Sequence, residues 1–276
     1  MTTSTISKTI TLANGVEMPR IGYGVFRMKE YEECFTGVVE AIQAGYRAID
    51  TAAIYQNEEA VGAAIKESNV SREELFITTK VWNADQGYDQ TLKAFETSLE
   101  KLGLDYVDLY LTHWPKPQLA DTYRAIERLY EEKLIRVPGV SNHHQHHLEE
   151  IFATCNVKPM VNQIECHPSL SQDELRAFCA EHNIAVTSWA PLGTGIVFTH
   201  PIMKQLAEKY SKTPAQIVLR WHLEIGNITI PKSITPTRIV ENLNVYDFSL
   251  QPDEVAAITA LNTFHRTGAN PDNFDF

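Results

Sequence analysis

Apolar residues recur at every second position in short runs and at every third or fourth in longer ones, and the two periods alternate along nearly the whole chain. Strand-like runs fall at 21–24, 48–50, 75–80, 107–112, 137–141, 160–164, 185–189 and 228–231. Between them, 30–44, 57–68, 88–102, 120–132, 146–155, 172–182 and 214–224 carry the one-faced pattern of packed helices. Two more helical runs, 237–244 and 252–261, follow the last strand. Ahead of the first, residues 9–18 with Asn14-Gly15 at their centre read as a hairpin, because Asn-Gly supplies the positive φ angles of a two-residue turn. Eight short strands alternating with helices predict one α/β domain over residues 1–276: a (β/α)8 TIM barrel with an N-terminal β-hairpin and two extra helices. A doubly wound sheet is the competitor. Its dinucleotide-binding form needs a G-x-G-x-x-G after the first strand, and none is present.

Composition refines this picture only at the edges. At 276 residues and 43% hydrophobic, the chain can bury a large core without disulfide or metal support. A net charge of -11 argues against a nucleic-acid partner. No run approaches the roughly 18 apolar residues of a membrane span, and the opening MTTSTISKTITLANG lacks the apolar segment of a secretory leader. Cys34, Cys155, Cys166 and Cys179 are scattered with no C-x-x-C, as in a cytoplasmic protein with reduced thiols.

In a barrel, chemistry gathers where the strands end. The stretch GYRAIDTAAIYQNEEAVG, Gly45 to Gly62, ends its strand on Asp50 and sets Tyr55 on the loop that follows. The next strand ends on Lys80 with Trp82 beyond it, and the one after leads into His113 and Trp114. A buried ammonium without a partner is costly, and Asp50 is its natural counter-ion. Taken singly, these residues read equally well as packing: an ion pair bracing the barrel mouth and a hydrogen-bonded core histidine. Converging on one face they describe an acid. A cation beside a phenol stabilises the phenolate and lowers its pKa, which suits protonation of a carbonyl oxygen that a histidine orients. No side chain supplies hydride, so the chemistry needs a cofactor.

These motifs resemble the aldo-keto reductase family. Besides the stretch around Asp50, FITTKVWN, DLYLTHWP, GVSN, VNQIECHP, SWAPLG and IPKSITPTRIVEN follow in the family's order, and the resemblance runs from the hairpin to the C-terminus. It is greatest to the short-tailed microbial branch that includes diketogluconate and methylglyoxal reductases. The resemblance implies NADPH-dependent reduction of aldehydes and ketones by a monomer, with Asp50, Tyr55, Lys80 and His113 as the catalytic tetrad. It implies that Ser141, Asn142 and Gln163 hold the nicotinamide carboxamide, that Trp189 stacks on the ring, and that Ala190, Leu192 and Gly193 pass the pyrophosphate. Lys232, Ser233, Arg238, Glu241 and Asn242 would clamp the adenosine end, with Lys232 and Arg238 on the 2′-phosphate. Tyr23, Val25, Phe26, Trp82, His113 and Trp114 would line the pocket for a small carbonyl substrate, left open by the short tail after Leu261.

Two positions depart from the pattern. Pro138 stands where the family has an aliphatic residue, and a proline inside a central strand implies a later strand start, a bulge or a substitution. His143 stands where the family has an aromatic. With His144, His146 and His147 it also invites a metal reading, but no acidic residue or cysteine nearby in sequence completes a motif. Glu165-Cys166-His167 reads as the end of the sixth barrel strand, near the cofactor, in preference to a ligand set. Rival functions are a nicotinamide-binding redox sensor with little turnover and a metal-dependent barrel hydrolase.

Overall fold

The computed structural model describes residues 6–276. It opens on an antiparallel hairpin, β1 (Thr9–Thr11) and β2 (Glu17–Pro19), turned at Asn14-Gly15. Eight parallel strands then follow: β3 (Tyr23–Gly24), β4 (Ala48–Asp50), β5 (Phe76–Val81), β6 (Val107–Thr112), β7 (Ile135–Ser141), β8 (Val161–Glu165), β9 (Ala185–Trp189) and β10 (Ile228–Thr229). Each pairs with the next. The seam is closed by a parallel bridge between Ile21 and Thr229, with the N–H of Gly22 donating to Thr229 O at 2.9 Å. The helices around the barrel are α1 (Tyr31–Ala44), α2 (Glu58–Glu67), α3 (Tyr88–Leu102), α4 (Leu119–Glu131), α5 (Gln145–Phe152), α6 (Asp173–Glu181), α7 (Pro201–Tyr210), α8 (Pro214–Glu224), α9 (Pro236–Leu243) and α10 (Pro252–Thr259).

The period of two along each strand decides what enters the barrel. Ala48, Phe76, Leu109, Leu111, Val137, Val161 and Ile228 form the inner cluster, stoppered from below by Leu12 and Met18 of the hairpin region. The residues between them, such as Ile49, Ile77, Tyr110, Val140, Ile164 and Val186, join the outer core under the helices. Counting on by twos from the inner cluster reaches Asp50, Lys80, His113, Ser141, Gln163 and Glu165, and Ala185 leads likewise to Trp189. The barrel is thus greasy at its base and polar at its mouth because apolar and polar residues share one parity.

The structure resolves the Pro138 question. β7 runs through it without a bulge, paired with Tyr110 of β6. The carbonyl of Pro138 accepts from Met160 N at 2.9 Å, so its nitrogen also faces β8. Pairing between β7 and β8 begins only at Gly139, so the missing N–H falls just outside the ladder. A helix that the sequence pattern does not predict, α7, lies between β9 and α8. Its signals are a proline at its first turn and buried Met203 and Leu206 three residues apart.

Helices α2 and α3 meet at Gly62, where a Cβ would lie 2.1 Å from Leu102 O. Backbone that close cannot yield cheaply. Gly62→Ala should therefore lower the thermal midpoint by at least about 4 °C, although alanine is the better helix former by ~1 kcal/mol. Calorimetry checks this, and an unchanged midpoint would mean the two helices separate freely.

Candidate active site

At the mouth, the Lys80 ammonium donates to Asp50 Oδ1 at 2.6 Å and to Thr51 O at 2.7 Å. It is fully buried and stands 5.0 Å from the centre of the Tyr55 ring. Burial works to lower the pKa of Lys80, but Asp50 and Tyr55 outweigh it and hold it above the ordinary value. For Tyr55 burial is again the largest influence, and it raises the phenol's pKa; Lys80 pulls the other way without reversing the shift. This corrects the expectation of a phenol lowered outright. His113 packs edge-on to Tyr55 and Trp82, at 5.7 and 5.3 Å between ring centres. Burial, then the charge of Lys80, push its pKa well down, so the imidazole is neutral at pH 7.

The residues expected at the nicotinamide form one network with this group. Gln163 Nε2 donates to Asp50 Oδ2 at 2.6 Å. The Ser141 hydroxyl donates to Gln163 O at 2.8 Å, Asn142 Nδ2 to His113 O at 2.9 Å, and Trp189 Nε1 to Asn142 Oδ1 at 2.8 Å. Asn142 and Ala190 both take left-handed backbone at strand ends, with φ of 64° and 46°. The indole of Trp189 is half-exposed, and the loop of Ala190, Leu192 and Gly193 follows it in the chain, braced by His222, which donates to Pro191 O at 3.0 Å. On the far side Lys232, Arg238 and Glu241 are exposed, whereas Ser233 and Asn242 are buried.

Not every expected pocket residue faces the mouth. Tyr23 is turned outward against α1: its hydroxyl donates to Ser233 O, and a Cβ on Gly37 would come within 2.7 Å of the phenol oxygen. Tyr23 belongs to the outer core, and Val25 packs in the same cluster. Phe26 does reach the site, 5.0 Å from Tyr55 between ring centres. The expectation of an open pocket is also corrected. The tail returns across the mouth, stacking Phe276 on Trp82 at 5.9 Å and setting Phe274 and Phe276 against Trp114 at 5.0 and 5.1 Å.

Two carboxylates anchor that tail. Glu165, fully buried, accepts from the N–H and hydroxyl of Thr267 at 2.5 and 2.7 Å, from Gly268 N at 3.2 Å and from His167 Nε2 at 3.1 Å. Burial opposes its charge, but these donors hold its pKa below the usual carboxylate value. Asp272 supplies the acidic partner that sequence reading did not find for the histidines. It lies 2.8 Å from His144 Nδ1 and 3.3 Å from His146 Nε2, and with His144 and His147 it forms a group compact enough for a metal. The lone pairs decide otherwise. Arg266 donates to His144 Nε2 at 3.0 Å, and the backbone N–H of His144 donates to His147 Nδ1 at 3.1 Å. The protons therefore sit on the nitrogens that face Asp272, and the cluster is a receptor for its carboxylate.

The chain is similar to known proteins along nearly its whole length. The model of the Aldo/keto reductase family matches residues 20–263. The chain is 53% identical over 274 residues to glyoxal reductase of Bacillus subtilis (strain 168), covering 99% of each. Among solved structures it is similar to an aldo-keto reductase from a Medee basin deep-sea metagenome library, with a TM-score of 0.95 and 46% identity over 97% of this chain and 100% of that one. It is also similar to a mutant of Gox0644 in complex with NADPH, with a TM-score of 0.93 and 43% identity over 97% and 98% of the two chains.

His143, wholly buried, binds Ser141 O through Nδ1 at 2.8 Å, and burial pushes its pKa down to about 3. An unfolded histidine takes its proton near pH 6.5, so stability held by the neutral ring is present above that value. It is lost as pH falls from there toward 3, with a slope approaching ~1.4 kcal/mol per pH unit. His143→Phe should flatten this limb in urea unfolding measured from pH 7 to 4. Equal slopes in the two proteins would refute the assignment.

Proposed function

The chain belongs to the aldo/keto reductase family, and from that premise we propose that it reduces aldehydes and ketones, small dicarbonyls among them, with Tyr55 as the proton donor. The observation that carries this reading is the buried Asp50–Lys80 pair set against the Tyr55 phenol at the barrel mouth. No packing role requires an ammonium there.

The residues present suit NADPH. Trp189 offers a flat, half-exposed ring beside the amide of Asn142, and the Gln163 amide is held by Asp50. Lys232 and Arg238 are exposed cations on an acidic chain, suited to the 2′-phosphate. When bound, NADPH supplies the hydride for the carbonyl carbon. Tyr55 gives its phenolic proton to the carbonyl oxygen. Its raised pKa keeps that proton in place at neutral pH, and the phenolate left behind faces Lys80, which Asp50 keeps charged. Neutral His113 can donate a hydrogen bond to the same oxygen without adding a competing cation. Phe26, Trp82 and Trp114, with Phe274 and Phe276 of the tail, give the substrate aromatic walls.

The test is NADPH oxidation with glyoxal, methylglyoxal and a panel of aldehydes and ketones. Tyr55→Phe should lower kcat by about a thousandfold while NADPH affinity changes less than about twofold, and EDTA should leave the wild-type rate unaltered. Lys80→Met should lose turnover comparably. Wild-type protein that binds NADPH but reduces no carbonyl would overturn the reading and favour a redox sensor.

A further inference from the structure

Glu165 takes no part in the proton chemistry above, yet it is a fully buried carboxylate at the active face. It ends β8 directly beside Trp189, its partner across the ladder. Its donors are Thr267, Gly268 and His167, with the Arg266 guanidinium 3.7 Å away. Three of these four residues belong to the tail, about a hundred positions later in the chain.

The segment fixed in this way presses on Trp189. A Cβ built on Gly268 would lie 2.4 Å from Cη2 and 3.1 Å from Cζ3 of the indole, so only a bare backbone fits against its six-membered edge. At the other end of the ring, Nε1 donates to Asn142 Oδ1 at 2.8 Å. The indole is held between a hydrogen bond and a backbone stop, and the stop is anchored by the carboxylate.

We propose that Glu165 and Gly268 are positioning residues that fix the plane of Trp189, and through it the seat of the nicotinamide ring. The assignment rests on the cofactor reading above for its second half; its first half concerns the protein alone. Glu165 also fixes His167, whose ring backs the cofactor loop: a Cβ on Gly193 would come 2.9 Å from its Cγ. One carboxylate thereby ties both the tail and that loop to the end of β8.

The experiment is a double-mutant cycle of Gly268→Ala with Trp189→Phe, since phenylalanine keeps an aromatic ring but withdraws the edge that Gly268 meets. NADP+ affinity is read by calorimetry. Gly268→Ala should weaken binding about tenfold in the Trp189 background and less than about twofold in the Trp189→Phe background. In the cofactor-free protein labelled with fluorotryptophan, the Trp189 resonance, identified by its loss in Trp189→Phe, should shift in both Gly268→Ala and Glu165→Gln. Glu165→Gln should also weaken NADP+ binding several-fold, which covers the case in which Gly268→Ala does not fold. Equal losses of affinity in the two backgrounds, or a Trp189 resonance that stays in place, would overturn the proposal. Wild-type protein that fails to bind NADP+ would instead overturn the cofactor reading, with the resonance shifts still judging the positioning.

Discussion

The constraint on which the site depends is the charge of Lys80 inside the barrel. An ammonium taken out of water is tolerated only when paired and hydrogen-bonded, and Lys80 has both an Asp50 oxygen and the Thr51 carbonyl within 2.7 Å. Asp50 in turn needs a second donor, which Gln163 provides from the opposite wall of the barrel. Gln163 accepts from Ser141 at its carbonyl, and Asn142 links His113 to Trp189. Satisfying one buried cation thus draws side chains from β4, β5, β7 and β8 into a single network. The tyrosine and the neutral histidine stand where that network places them.

Much of this was legible because strand parity is a local property. Phe76, Thr78 and Lys80 face inward together, as do Leu109, Leu111 and His113, so hydrophobic alternation alone carries each polar residue to the barrel's interior. The same rule corrects the reading of Tyr23. Gly22 lies against Ala48 and Ile230 inside the barrel, so Tyr23 must turn outward to α1. Helix α7 is hard to see in the sequence because it follows a 3-10 segment with two glycines, Gly193–Thr199, that masks the onset of helical spacing. Pro138 looked disruptive because sequence does not show where a neighbouring strand begins.

What could not be read were the contacts that close over long separations. Asp272 meets His144 across 128 positions, and Thr267 meets Glu165 across 102. Neither acid shares a local motif with these distant partners, and a tail without strong periodicity gives no direction of travel. Such contacts are decided by the shape of the finished barrel mouth, after the local elements have formed. The histidine-rich start of α5 resembles a ligand set for the same reason: its partner carboxylate, Asp272, and the Arg266 that occupies a lone pair of His144 lie elsewhere in the chain.

The tail also bears on how the protein is handled. Phe276 stacks on Trp82, and its carbonyl accepts from Asn83 Nδ2 at 3.1 Å. A segment joined to Phe276 would leave the molecule beside Trp82 and Trp114 at the barrel mouth, so bulk attached there bears on those two indoles. The hairpin of β1 and β2 lies at the other end of the barrel, packed under the inner cluster through Leu12 and Met18, with the barrel's depth between it and the Asp50–Lys80 pair.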